Sequence, residues 1–267
     1  MDPFIKLSAP ETRQFWQIPV LWEDAHLLAL DKPSELLTSP DRYDTQRPNL
    51  MRLLQRDIAR GAPWARQRGL SYLANAHRLD FGTSGVLLLA KEKAALVALA
   101  NQFGTDRPLK RYLALVEGSP AKDAWEVEAR LAPHPTRPGM MRVDAKLGKH
   151  ARTLFEATER FSGYTLVTCR LLTGRTHQIR VHLRHAGFPV VGDGLYGGRP
   201  LLLSKLKTDY RFKRNQEERP LIARAALHAE ELALQHPTTG AEVMIRAPWP
   251  KDLVVAIKYL RRYAGLP

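Results

Sequence analysis

The 267-residue chain has one cysteine, Cys169. A single thiol cannot close a disulfide within the chain, and no zinc ribbon can be built from thiolates. Cysteine this sparse also fits a reducing compartment. Cys169 lies in the run YTLVTCRLL, which predicts a buried strand and a structural thiol rather than a nucleophile. Long apolar runs are missing too: runs such as 86–90 are far shorter than the ~20 residues a membrane helix needs. Residues 1–19 carry scattered charges and no apolar block, so no secretory signal is expected. These absences predict a cytoplasmic chain without a membrane partner. There is no glycine-rich phosphate loop and no dinucleotide fingerprint, so no nucleotide cofactor is expected. Acidic residues are in deficit: 27 Asp and Glu face 41 Lys and Arg, for a net charge of +14. An excess of that size concentrates polyanions at the surface, which makes nucleic acid the first candidate partner.

The chain has no internal repeat and no low-complexity segment. Residues 1–18 are expected to be a short tail or edge segment, and 19–267 a single domain. LLALDKP (27–33) predicts a buried strand stopped by Pro33. Asn49 can cap a helix whose Leu50, Leu53, Leu54 and Ile58 share one face, with Gly61 closing it. AHRLDFGTSGVLLLAK (76–91) changes from a polar, glycine-containing loop to a continuous apolar strand, and a helix over 92–103 follows. Strands are expected at 110–118, 124–131, 139–145, 151–158 and 164–172. A helix capped near Thr176 should end at Gly187, with Ile179, Leu183 and Ala186 facing the core and His177, Arg180 and Arg184 sharing another face. A basic insertion spans about 199–220, and a hairpin and an amphipathic helix close the chain. This pattern predicts an α+β fold: a mostly antiparallel mixed β-sheet core with flanking helices.

Three segments set unusual polar residues beside strong apolar runs: HRLDFGTSG (77–85), KRYLALVEG (110–118) and LTGRTHQIRVHLRHAGFPVVGDGLYG (172–197). LALDKP (28–33) is a weaker fourth, and LHAEELALQHPTTG (227–240) fits the end of the same pattern. Together they resemble the RluA family of RNA pseudouridine synthases. HRLDxxTSG and TGRTHQIRVH, in this order and spacing, are highly specific. The resemblance implies a pseudouridine-synthase-like catalytic domain that isomerises uridine in structured tRNA or rRNA without a cofactor or metal; nothing in the sequence suggests an oligomer, so a monomer is expected.

Residue by residue, the resemblance makes Asp80 the catalytic carboxylate. A carboxylate can add to the uracil or trap the sugar carbon covalently, and both routes stay open. Arg180 is implied as the partner that keeps Asp80 ionised and oriented. Tyr112 is implied as the active-site tyrosine, stacking on uracil and assisting removal of the C5 proton. Arg78 matches the arginine that fills the gap left by the extruded base. Further substrate or RNA contacts are expected at His77, Thr83, Lys32, Lys110, Arg175, His177 and Ile179, with Arg111 and Arg184 as added phosphate contacts.

Other readings of the same residues are weaker. Ser84 lies in no GxSxG elbow, and only His77 could serve it as a base. His177 and His182 are five residues apart, which is not the spacing of an HExxH pair, and no carboxylate accompanies them. The chain departs from the family pattern at Ser34-Glu35, where Ala-Gly often stands, and at Phe81-Gly82, where an acidic residue often stands second. The small N-terminal RNA-binding domain of many relatives is expected to be absent. The charge of +14 and the 199–220 insertion are then expected to supply RNA affinity.

Overall fold

The computed structural model describes residues 2–41, 44–105, 107–207, 209–210 and 217–266. The chain opens with β1 (Phe4–Ala9), β2 (Gln14–Glu23) and β3 (Leu27–Lys32). It continues through α1 (Leu50–Ala59), α2 (Pro63–Gln67), the short β4 (Ala74–Asn75), β5 (Ser84–Ala90) and α3 (Lys93–Gly104). Next come β6 (Leu109–Glu117), β7 (Ala124–Pro133), β8 (Met141–Val143), β9 (Lys149–Phe161), β10 (Tyr164–Leu171) and α4 (Gln178–His185). The last elements are α5 (Leu203–Leu206), β11 (Leu227–Gln235), β12 (Glu242–Arg246) and α6 (Lys251–Tyr263). The fold is mixed α+β with mostly antiparallel strands, as the sequence predicts. It divides into two compact units, Met1–Leu109 with Ala229–Pro248, and Lys110–His228 with Trp249–Pro267.

In the first unit the strands run in the order β1-β2-β3-β5-β11, with β12 beside β11 and β4 beside β5. All seven residues of β5 are buried, as its continuous apolar run predicts. Antiparallel register sets Leu27 opposite Ala90 and Lys32 opposite Gly85. Gly85 has φ 113°, and a Cβ there would lie 2.2 Å from the carbonyl oxygen of Ala229, so only glycine permits this approach. The α1 cap forms as expected: the Asn49 side chain accepts the Arg52 N–H at 2.9 Å. Leu50, Leu53 and Leu54 are buried on the helix's apolar face.

The N-terminal residues, expected as a tail or an edge segment, form the β1–β2 hairpin with β1 at the end of the strand order, Phe4 opposite Pro19 and Ala9 opposite Gln14. Ile5, Leu7 and Ala9 alternate with more exposed residues and are buried, as is Ile18. The strand period is therefore present at 4–9, and burial of that face makes a tail into a strand pair.

The second unit has the strand order β6-β10-β9-β7-β8. Its core joins Leu115, Val167, Phe155, Ile179 and Leu183 to Leu253, Ile257 and Leu260 of α6. Cys169 is fully buried there, and burial pushes its thiol pKa up, which leaves it a structural residue. The strand expected at 139–145 is only the three residues of β8. Within the basic insertion, Glu218 accepts hydrogen bonds from the Ser204 amide at 2.9 Å and hydroxyl at 2.5 Å. Residues 208 and 211–216 of that insertion lie outside the described residues. No helix among the described residues is long and apolar enough to cross a membrane.

Candidate active site

HRLDFGTSG folds as a turn that leads into β5. The Thr83 amide donates to the Asp80 carbonyl at 3.1 Å, closing a four-residue turn over 80–83. Leu79 is buried at one side of this turn, Asp80 is half-buried, and Arg78 is exposed. The preceding loop, 33–38, braces the turn on both sides of Asp80. The Thr38 hydroxyl is buried, donates to the Leu79 carbonyl at 2.9 Å and accepts the Leu79 amide at 3.1 Å. The Glu35 amide donates to the Phe81 carbonyl at 2.7 Å. Glu35 holds this position with φ 60°, a left-handed backbone that costs about 1–2 kcal/mol for a residue with a side chain. Both neighbours of Asp80 are thus anchored by their backbones, which limits the positions its carboxylate can take.

Lys32 completes the brace. It is fully buried, and its ammonium donates to the carbonyls of Pro33 at 2.7 Å and Leu36 at 2.6 Å. Lys32 was expected to meet phosphate; its ammonium is turned inward and holds the 33–36 turn. His77 has a similar role. Its Nε2 accepts the Leu88 amide at 3.1 Å, and its ring stacks on Phe103 at 5.1 Å. A nitrogen that accepts a strand amide is poorly placed to serve as a base for Ser84. Thr83 is buried, and its hydroxyl has no hydrogen-bond partner among the described residues; its amide makes the turn bond above.

Thr38 was not identifiable from sequence, because it sits in a Ser- and Pro-containing loop 41 residues from its partner. Its role can be checked. Thr38→Val strips the hydroxyl from two buried backbone groups, and a loss of about 2 kcal/mol of stability is expected. The turnover number should fall about tenfold or more as Asp80 loosens, while KM changes less and Thr38→Ser restores both. Denaturation midpoints and steady-state kinetics would measure these effects. A Thr38→Val protein with parental turnover would mean that the brace does not position Asp80.

In the second unit, the TGRTHQIR segment is tied to β9 by Gln178. This buried side chain accepts from the Thr173 hydroxyl at 2.8 Å and the Arg175 amide at 2.9 Å. It donates to the Arg152 carbonyl at 3.0 Å and the Thr153 hydroxyl at 2.9 Å. Helix α4 begins one residue later than expected. His177, with φ 54°, stands at its N-cap without a side-chain capping bond.

His177, Arg180 and Arg184 do share a face, and that face gathers around Tyr196. The Tyr196 hydroxyl accepts the Met141 amide at 2.9 Å and lies 2.7 Å from His177 Nδ1. Arg184 donates to the Tyr196 carbonyl at 2.7 Å, and the Arg180 guanidinium lies 4.8 Å from the Tyr196 ring centroid. Arg180 also grips Asp193 with two prongs, Nε to Oδ2 at 2.6 Å and Nη2 to Oδ1 at 2.8 Å. Both side chains are largely buried, 11% exposed for Arg180 and 2% for Asp193. Asp193 is held in turn by a tight bend: Gly192 has φ 75°, and a Cβ there would meet the Arg224 carbonyl oxygen at 2.2 Å. Sequence reading did not single out Gln178, Asp193 or Tyr196, although all three lie inside the quoted motif at 172–197.

The other expected contacts in this unit divide by exposure. Arg175 is exposed, with its Nε on the His150 carbonyl at 2.9 Å. Lys110 is 7% exposed, and its ammonium lies beside the Gly174 loop. Ile179 is 4% exposed and packs in the core, as its core-face spacing predicts. Tyr112 is half-buried in β6, opposite Cys169 of β10. His182 points away from His177. It is fully buried against the Thr153 hydroxyl at 3.0 Å, and burial, with the nearby His185 charge adding, lowers its pKa to about 4.

Comparison with known proteins shows the family. Residues 26–185 match the family model described as RNA pseudouridylate synthase. The ribosomal large subunit pseudouridine synthase D of Xylella fastidiosa is 37% identical over 255 residues, covering 93% of this chain and 71% of that protein. The dual-specificity RNA pseudouridine synthase RluA of Escherichia coli K12 is 33% identical over 231 residues, covering 86% of this chain and 92% of that protein. The solved human RNA pseudouridylate synthase domain containing 4 has the same fold: the TM-score is 0.70 at 22% identity, covering 93% of this chain and 94% of that one. The class is therefore that of the RNA pseudouridine synthases, isomerases that act on RNA. Within that class, the chain belongs to the RluA family.

Proposed function

We propose that the chain converts specific uridines of structured tRNA or ribosomal RNA to pseudouridine, with Asp80 as the catalytic carboxylate and the target base flipped out of the RNA. The observation that carries this reading is the brace around Asp80: a half-buried carboxylate on a turn whose two flanking residues are fixed through Thr38 and Glu35. A nucleophile held in this way needs little reorganisation as it attacks.

The isomerisation breaks the N1–C1′ bond, rotates the uracil and forms a C5–C1′ bond. The C5 proton leaves and N1 gains one, so no redox partner is needed. Asp80 adds to the base or to C1′ and is released when the new bond forms. Tyr112 stacks on the uracil, and its hydroxyl assists removal of the C5 proton. Arg180, oriented by Asp193, keeps the reacting carboxylate ionised. Arg78, exposed two residues before Asp80, fills the gap left in the stack. Exposed Arg175 and Arg184 take phosphates.

Incubation with separate pools of [5-³H]uridine-labelled tRNA and rRNA, from cells lacking the gene, tests the substrate assignment. Tritium release into water from at least one pool is expected, and release from neither would overturn it. Arg78→Ala should slow turnover of a folded stem-loop about tenfold more than that of an unstructured strand with the same target uridine, because only the folded RNA needs its stack refilled. Equal losses on the two RNAs would remove Arg78 from base flipping.

A further inference from the structure

The turn that carries Asp80 also presents Phe81, a large apolar side chain that stays 39% exposed. Its backbone is not loose: the Phe81 carbonyl accepts the Glu35 amide at 2.7 Å, inside a turn closed by Thr83. The ring is thus held outward on a fixed base. The Arg47 guanidinium lies 4.5 Å from the ring centroid. Arg47 is itself 38% exposed, and its ion pair with Asp41, at 3.3 Å, is long and accessible to solvent. Such a pair contributes little to stability. An aromatic face with a planar cation over it is, however, a surface on which a nucleobase stacks.

We propose that Phe81 and Arg47 form a stacking platform for an unpaired nucleotide next to the target uridine. The proposal rests on the reading that the Asp80 turn meets RNA. Adjacent Cα atoms are about 3.8 Å apart, so a base on Phe81 lies within a nucleotide step or so of one at Asp80. Base–aromatic stacking tolerates any base and is worth roughly five- to a hundredfold in affinity. The platform therefore grips the flanking strand while pairing and phosphate contacts elsewhere choose the site. It also gives a role to a residue that stands between the RLD and TSG halves of the motif.

The test is equilibrium binding of a fluorescein-labelled ten-nucleotide oligouridylate, read by anisotropy, alongside turnover of the tritiated RNA pool. Phe81→Ala should weaken oligouridylate binding about tenfold and raise KM by a similar factor, with kcat within threefold and an unchanged melting temperature. Phe81→Tyr should bind as the parent does. Arg47→Ala should weaken binding too, and the double variant should lose less than the product of the single losses, because both side chains hold one base. Parental binding by Phe81→Ala, loss of binding in Phe81→Tyr equal to that in Phe81→Ala, or no oligouridylate binding by the parent would each overturn the platform. Asp80→Asn separates the two readings: it should bind the oligonucleotide normally without turning over, so failure of the catalytic assignment leaves the binding result intact.

Discussion

Asp80→Asn is expected to bind RNA within about threefold of the parent and to lose turnover by about 10⁴-fold or more, the scale seen when a covalent nucleophile is removed. The substitution is nearly isosteric. The Thr38 and Glu35 contacts run to the backbones of Leu79 and Phe81, so the turn should stay in place. An amide cannot form the ester-like adduct that a carboxylate forms at C1′, and it is no substitute for the carboxylate as a nucleophile toward the base. Filter binding and tritium release on one RNA preparation would measure both quantities. A variant that turns over at a tenth of the parental rate would show that Asp80 orients the substrate rather than attacking it.

Asp193→Ala should have the largest effect on stability. It leaves the Arg180 guanidinium, 11% exposed, without the carboxylate that meets two of its nitrogens. Removing one partner of a buried pair typically costs about 3–5 kcal/mol, whereas removing both costs less. Urea denaturation should therefore show a large loss for Asp193→Ala and a partial recovery in the Asp193→Ala, Arg180→Met double variant. Turnover should behave differently. The single variant, assayed well below its melting temperature, should lose about a hundredfold or more, and the double variant should recover none of it. Recovery of turnover together with stability would make Arg180 a structural residue only.

The sequence speaks clearly where local chemistry decides. Asn49 followed by leucines at helical spacing gave α1 with its cap, and the unbroken apolar run at 86–90 gave β5. Residue type at a motif position was legible too, but its direction was not. Lys32 and His77 read as RNA contacts, yet the Lys32 ammonium meets two carbonyls and the His77 Nε2 a strand amide, while Ile179, read both as core and as contact, packs in the core. A lysine in sequence looks the same whether it faces phosphate or closes a turn. The partners that place the reactive groups were the least visible. Thr38 reaches a residue 41 positions away, Asp193 one 13 positions away, and neither carries a periodic signal. At 1–18 the alternation at 4–9 is short and is followed at once by Pro10, so sequence alone did not choose between a tail and an edge segment. The pairing that makes it a strand is set by packing.

The central claim, that this chain makes pseudouridine through Asp80, is tested most directly by mapping. Total RNA from cells lacking the gene would be incubated with purified protein, and pseudouridine located by chemical labelling and reverse-transcription stops. New pseudouridine at one or a few positions with the parent, and at none with Asp80→Asn, is the result expected. New pseudouridine at the same positions with both proteins would contradict the assignment.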